Sequence, residues 1–451
     1  MFDMAANRVH RVLQGPKGTR IPQPARNDKG PFTTPMGWAL VAGLVAAWAA
    51  TVIASETAPG DNLLNQESKP GLFYVLHGFA ILIVMGVGVR CLLAGRLRRL
   101  RPGVQLSFVV LFCSAAAWSL TSYTWGEIFS PVIFGATGPF VWFSLLFLVA
   151  GTDPGVWKAI NLTIGALTCC STVLALRALF TSTGFVYGMA YSKITMYVTI
   201  LVWLSGWTLL TGTRKRGWTL FLRTIPFLTF VLLAVYSEAR SWITLSLVLS
   251  GFFLRLRYKE HGSIRTVLAA VVGGAIVAVV SAMCVYAIAP ERIQNSLDGL
   301  KDRLYDDTRS SEYDDFAADV PLSDLLFGRG PTGTWYWSVG GDNQFFDNGY
   351  LWMLFIGGVP TLLSYCAIVV LPALQAVWWQ PRGLDGAAVF LVLLWALALT
   401  GLSTFTLPSL SFTNYLIALF AGRCHAFVAR RDAVQAVVWR RPGIRLSFRQ
   451  S

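Results

Sequence analysis

Charge is what this chain has least of. Asp, Glu, Lys and Arg together make up 13% of its 451 residues, where a globular domain carries about 25%. Set against 55% hydrophobic residues and a mean hydropathy of +0.56, this excludes an ordinary soluble protein, because so large an apolar excess is hidden from water only in a bilayer. Histidine is nearly missing: His10, His77, His261 and His425 are the only four. They are too scattered for a histidine-based metal site, and no serine has a histidine beside it for a hydrolase triad. The seven cysteines lie in or near apolar runs and form no C-x-x-C, so neither zinc nor a disulfide scaffold is expected. No Walker A pattern and no strand-borne G-x-G-x-x-G occurs, which disfavours an ATP-driven pump. The first 35 residues are polar and no small-residue cleavage site follows the first apolar run, so no removable signal peptide is expected.

Long apolar runs are plentiful. Stretches near 20 residues fall at 36–54, 71–94, 104–125, 129–151, 156–180, 194–211, 218–236, 242–256, 264–289, 349–379, 387–400 and 410–428. The expected fold is an all-α integral membrane protein of about twelve transmembrane helices with one large loop containing amphipathic helices. Charge orients it. The tails and alternate connections hold 28 of the 37 basic residues, and the other connections hold 17 of the 23 acids. The positive-inside rule therefore puts both termini in the cytoplasm. The expected organisation is a basic cytoplasmic tail at 1–35, helices 1–9 over 36–289, an external loop at 290–348, helices 10–12 over 349–428 and a second basic tail at 429–451. Attraction to membrane lipids explains the basic tails, so no nucleic-acid partner is implied.

The loop holds 12 of the 23 acids. Ile293, Leu297, Leu300 and Leu304 are spaced as one face of an amphipathic helix. An acidic stretch at 306–319, a short apolar patch at 322–327 and the turn Gly328-Arg329-Gly330-Pro331 follow. Trp335-Tyr336-Trp337 and Phe345-Phe346 close it.

Ionisable groups beside lipid are costly unless used, so the loop-bearing rim is where function is sought. Arg240, in the short connection Ser237-Glu238-Ala239-Arg240-Ser241, offers a permanent charge and a donor fork matched to phosphate or carboxylate; snorkelling or a pair with Glu238 is the alternative. Asp347, followed by Asn348 where the loop re-enters the membrane, is either a helix cap or a carboxylate that takes a proton from an acceptor hydroxyl. Arg309 and Arg329 in the loop, with Arg177 and Lys193 on another connection of the same side, are further anion-binding candidates or ion-pair partners.

In order and spacing these pieces resemble a known family. The short Ser-x-x-Arg-Ser connection, then Arg309, Phe316, Leu325-Leu326-Phe327-Gly328-Arg329-Gly330-Pro331, Asp347-Asn348-x-Tyr350-Leu351 and Gly357-Gly358 resemble the bacterial O-antigen ligase and polysaccharide polymerase family, which looks like class C glycosyltransferases. The resemblance spans 237–371 in motifs and the whole chain in topology. It implies a multi-pass inner-membrane enzyme, working without metal or cofactor on a glycan carried by undecaprenyl pyrophosphate at the periplasmic face. On that basis Arg240 clamps the pyrophosphate, Arg309 and Arg329 assist, Asp347 and Asn348 handle the acceptor, and Trp335, Trp337 and Tyr350 stack sugar faces or belong to the interfacial aromatic belt.

Ligases of the family typically carry histidine where this chain has Asp347 and serine where it has Ala239. The polymerase branch is therefore expected, extending an exopolysaccharide or O-antigen, with a chain-length regulator and export proteins as candidate partners. Ligase-type transfer to another acceptor is the alternative. A flippase or transporter ranks below both, since transporters keep functional polar groups near the midplane.

Overall fold

In a computed structural model of the chain, the described residues are 35–56, 70–124, 139–181, 193–236, 240–265, 268, 272, 283, 308–338, 341–343, 346, 348–402 and 410–440. They are mostly helical. In chain order they form α1 (Pro35–Glu56), α2 (Gly71–Leu93), α3 (Pro102–Thr124), α4 (Phe147–Gly151), α5 (Trp157–Thr181), α6 (Lys193–Thr211), α7 (Trp218–Tyr236) and α8 (Arg240–His261). Then come α9 (Thr308–Asp319), α10 (Leu322–Phe327), a hairpin of β1 (Trp335–Trp337) and β2 (Gly341–Asn343), α11 (Gly349–Tyr365), α12 (Leu371–Trp378), α13 (Gly383–Leu397) and α14 (Phe412–Arg440).

Among the described residues, seven segments are long and apolar enough to cross a bilayer, in α1, α2, α3, α5, α7, the continuous pair α11 and α12, and α13. Hydropathy alone suggested about twelve. Most of 264–289 lies outside the described residues, and 129–151 is described only from Pro139, as a 3₁₀ turn running into α4. Helix α6 is apolar only over Met196–Thr211, while α8 and α14 carry several charges.

Helix α14 is the central post: it packs against α4, α12 and α13, and α13 in turn packs against α6. Two glycines let backbones meet there. A Cβ on Gly422 would stand 2.1 Å from the Leu148 oxygen, and one on Gly151 2.4 Å from the Leu419 oxygen, the close approach that small residues give membrane helices. Around this crossing the core is aromatic. Trp207 stacks on Phe420 at 4.8 Å and on Trp157 at 5.4 Å, and Trp203 meets Trp395 edge-on at 5.4 Å. Their polar edges are mostly bonded in pairs, as a dry interior demands: Trp157 Nε1 donates to the Gly151 carbonyl, Trp207 Nε1 to Asn161 and Trp395 Nε1 to the Tyr365 hydroxyl.

One end of the bundle is made of short turns at 94–101, 152–156, 212–217, 262–263 and 379–382. Every described acid at this end meets an arginine from another turn or helix: Asp153 with Arg96, Glu260 with Arg214, Asp432 with Arg101, and Asp385 with both Arg423 and Arg430. The other end carries the 290–348 segment. There α9 turns Glu312, Phe316 and Val320 inward at a spacing of four residues and leaves Asp314 and Asp319 exposed, so the acidic stretch is an amphipathic helix. The expected helix over Ile293 to Leu304 lies outside the described residues.

Candidate functional site

The loop is joined to the bundle at a break in α11. Pro360 has no N–H to donate to the Ile356 carbonyl, and Gly358, at φ 70° and ψ −173°, leaves the helical path. The freed carbonyls are met from outside: Arg329 N–H donates to Phe355 O at 2.7 Å and Gly330 N–H to Ile356 O at 2.9 Å. Irregular backbone among apolar spans is tolerated where protein supplies the missing partners. The approach needs glycine on both sides. A Cβ on Gly358 would lie 2.4 Å from the Leu326 oxygen, and one on Gly328 2.5 Å from the Ile356 oxygen, and both glycines have positive φ. Thus Gly328-Arg329-Gly330 and Gly357-Gly358, far apart in sequence, form one junction.

Arg329 holds that junction from the loop side. Its Nε donates to Asp324 at 2.6 Å, Nη1 to the Thr334 carbonyl at 2.6 Å and to Asp319 at 3.3 Å, and Nη2 to the Asp319 carbonyl at 2.9 Å. The guanidinium also lies over the Phe355 ring, 5.8 Å from its centre. With one of its five N–H donors left over, Arg329 is a strut that positions the loop, an ion-pair partner of Asp324 and Asp319, which is one of the two roles its sequence left open. Beneath it Phe316, Trp335, Phe346 and Phe355 form a cluster with centroids 4.7 to 5.8 Å apart. Trp335 is 1% exposed, so the expectation that it stacks a sugar is corrected: strand alternation turns Trp335 inward and Tyr336 outward. Tyr336, 58% exposed, is the ring that β1 presents, and Trp337 is half-buried. The period-2 pattern of the aromatic triplet was the available signal.

Where the loop re-enters, Asn348 caps α11. Its Oδ1 accepts from Tyr350 N–H at 3.0 Å and Leu351 N–H at 3.2 Å, and its Nδ2 donates to the Tyr313 hydroxyl of α9 at 3.2 Å. Asn348 thus takes the capping role that had been open to Asp347. Asp347 lies outside the described residues. Tyr350 turns back into the bundle and donates to the Ala396 carbonyl at 2.8 Å. Tyr313, which sequence reasoning passed over, ties α9 to this helix start. Nearby, Ser338 donates from its backbone N–H and hydroxyl to Asp315 at 2.9 and 2.6 Å, and these bonds hold the Asp315 carboxyl below its ordinary pKa.

Arg240 is the first residue of α8 and is exposed. A positive charge at a helix N-terminus opposes the helix dipole, so helix energetics do not account for it. Helix α8 packs against the π-helical turn Ala398–Leu402, and α11 packs against the same turn; a Cβ on Gly349 would stand 2.6 Å from Leu399. The starts of α8 and α11 therefore share one end of the bundle. Arg177 is exposed one turn before α5 ends, Lys193 begins α6 and Arg309 is the second residue of α9, all at that end.

Behind the loop turn a cleft of about 20 Å³ is lined by Ser114, Trp118, Trp142, Pro331, Gly357 and Thr361. That is room for one water and not for a sugar. Among the described residues no three His, Cys, Asp or Glu are grouped to hold a metal ion. The chain matches no protein-family model and no curated protein.

Proposed function

We propose that this chain is a polysaccharide polymerase of a bacterial inner membrane. On this reading it has about twelve spans and cytoplasmic termini. It moves a growing glycan from undecaprenyl pyrophosphate to a sugar hydroxyl of an incoming lipid-linked repeat at the periplasmic face, for exopolysaccharide or O-antigen assembly. The observation that carries the reading is the gathering, at the acidic end of an otherwise basic-ended bundle, of the starts of α8 and α11 with the Gly328-Arg329-Gly330 turn locked into Gly358.

In the reaction the acceptor oxygen bonds to the anomeric carbon while the bond from that carbon to the pyrophosphate oxygen breaks, and the lipid pyrophosphate leaves with the electron pair. Pyrophosphate departs without protonation if its charge is met, so the chemistry asks for a preorganised cation. Arg240 fills that role, and a guanidinium in a partly dry site is worth more than one in water. Asp347 takes the acceptor proton. Asn348 fixes the start of α11, Arg329 holds the loop over the site, and Arg309, Arg177 and Lys193 add positive potential around it. Tyr336 and Trp337 are the rings left to meet sugar faces. The candidate partners are the lipid-linked repeats, a chain-length regulator and export proteins.

The test uses the purified chain in proteoliposomes with lipid-linked repeats. Wild type should give a ladder of products on the carrier, and Arg240→Ala should give none while keeping the wild-type Tm. A normal ladder from Arg240→Ala removes the clamp.

A further inference from the structure

At the opposite, basic end a cavity of about 270 Å³ opens between the turn before α3, the π-helical turn Cys366–Val370, α12 and α14. At roughly 30 Å³ per liquid water it is sized for a headgroup and not for a single solvent molecule. Arg99, Arg101, Gln375 and His425 supply its polar wall, and Val104 and Leu371 part of its apolar one.

The polar groups are not equivalent. Arg101 is neutralised by Asp432, to which its Nε donates at 2.9 Å, and its Nη1 donates to Gln375 at 2.6 Å. Arg99 is exposed and makes no ion pair among the described residues, so it is the net charge of the site. His425 is 5% exposed. Its Nε2 lies 2.8 Å from the Ile368 carbonyl; a carbonyl only accepts, so Nε2 carries the proton and Nδ1 is an acceptor. Among the described residues nothing donates to Nδ1, and the ring lines the cavity. An acceptor facing the cavity favours a ligand that brings a hydroxyl as well as an anion. Leu371 lines the cavity and is 45% exposed on α12, so the cavity opens onto the apolar flank.

We infer that this cavity binds the headgroup of an anionic glycerophospholipid with a free hydroxyl, of the phosphatidylglycerol kind. The phosphate oxygens accept from Arg99 and the spare Arg101 donors, a glycerol hydroxyl donates to His425 Nδ1, and an acyl chain leaves past Leu371. An ethanolamine headgroup would set its ammonium against Arg99 and is disfavoured.

Native mass spectrometry of the full chain in detergent, titrated with phosphatidylglycerol, tests this. Wild type should bind one such lipid more tightly than phosphatidylethanolamine, and more tightly than phosphatidylmethanol, which has the charge without the hydroxyl. Arg99→Glu should weaken phosphatidylglycerol binding about thirtyfold, as expected for reversing one charge at a headgroup, whereas Arg98→Glu, exposed outside the cavity, should leave it unchanged. His425→Phe should erase the preference over phosphatidylmethanol; if that variant fails to fold, the wild-type comparison of the two lipids and Arg99→Glu still decide. Equal affinity in Arg99→Glu overturns the inference, as does no preference over phosphatidylmethanol in wild type. Glycerol 1-phosphate binding as tightly as the lipid would show a soluble phosphate site and overturn the lipid assignment.

Discussion

At the basic end of the bundle the described acids Asp153, Glu260, Asp385 and Asp432 each meet an arginine from another turn or helix. At the other end the joints are made by backbone instead: two loop N–H groups reach two carbonyls freed at the Gly358–Pro360 break, with glycine facing glycine. The first kind of joint rests on ion pairs between long side chains, worth little where they are exposed, as at Arg214, Arg430 and Arg101. The second tolerates no added atom. The basic end is therefore built to be orienting and forgiving, and the loop end to hold one geometry, which is what the proposed site, aiming an arginine and an acceptor, would require.

That contrast is open to breaking. The largest effect should come from Gly358→Val, which adds a branched side chain at positive φ against the Leu326 carbonyl. We expect a loss of roughly 3 kcal/mol or more, read as a lower Tm and faster proteolysis within the loop. Gly95→Ala is its control at the basic end, also at positive φ but with nothing within 4 Å; only the conformational cost of about 1–2 kcal/mol should appear. If the two variants cost the same, the loop end is not the tighter joint.

Arg329→Ala removes bonds to two aspartates and two carbonyls, and it should cost roughly 1–3 kcal/mol and loosen the loop in hydrogen exchange. Arg329→Lys should not rescue it, because an ammonium cannot span that fork of partners; full rescue would reduce Arg329 to a charge. At the basic end Arg430→Ala, whose side chain is 53% exposed beside an Asp385 that keeps Arg423, should cost below about 1 kcal/mol in urea unfolding, and a larger loss would erase the contrast.

The smallest effect concerns pH. Asp315 has its pKa lowered by Ser338, so the stability it lends is present above its unfolded pKa of about 3.9 and is lost as pH falls through the lower folded value. Protection of the Ser338 amide, its exchange compared with the intrinsic rate at each pH, should hold from neutral pH to about 4 and fall below it, and Ser338→Ala should remove that acid step. An unchanged profile in Ser338→Ala would locate the effect elsewhere.

Much of this was legible in the sequence. Hydropathy marked α1, α2, α3, α5 and α7 within a few residues, because a span must be apolar along its whole length. The same window treated 349–379 as one span, and the break at Gly358 with the π-helical turn after Tyr365 left no trace in it. Gly328-Arg329-Gly330 and Gly357-Gly358 were each visible as motifs, but their pairing is a long-range backbone contact that no local pattern encodes. Trp335 was assigned to the surface because the aromatic triplet was read as loop and not as a strand with an inside and an outside. Arg329 shows the limit for charged groups: a loop arginine near five aspartates has the same sequence signature as ligand or strut, and only its partners distinguish the two.

The most direct test of the central claim is the size distribution of lipid-linked and surface glycans in a strain lacking this gene. The polymerase account predicts single repeats on the periplasmic carrier and no polymer, with polymer restored by the wild-type chain and not by Arg240→Ala. Full-length polymer still held on the carrier would contradict it in favour of a ligase, and repeats trapped on the cytoplasmic side would contradict it in favour of a transporter.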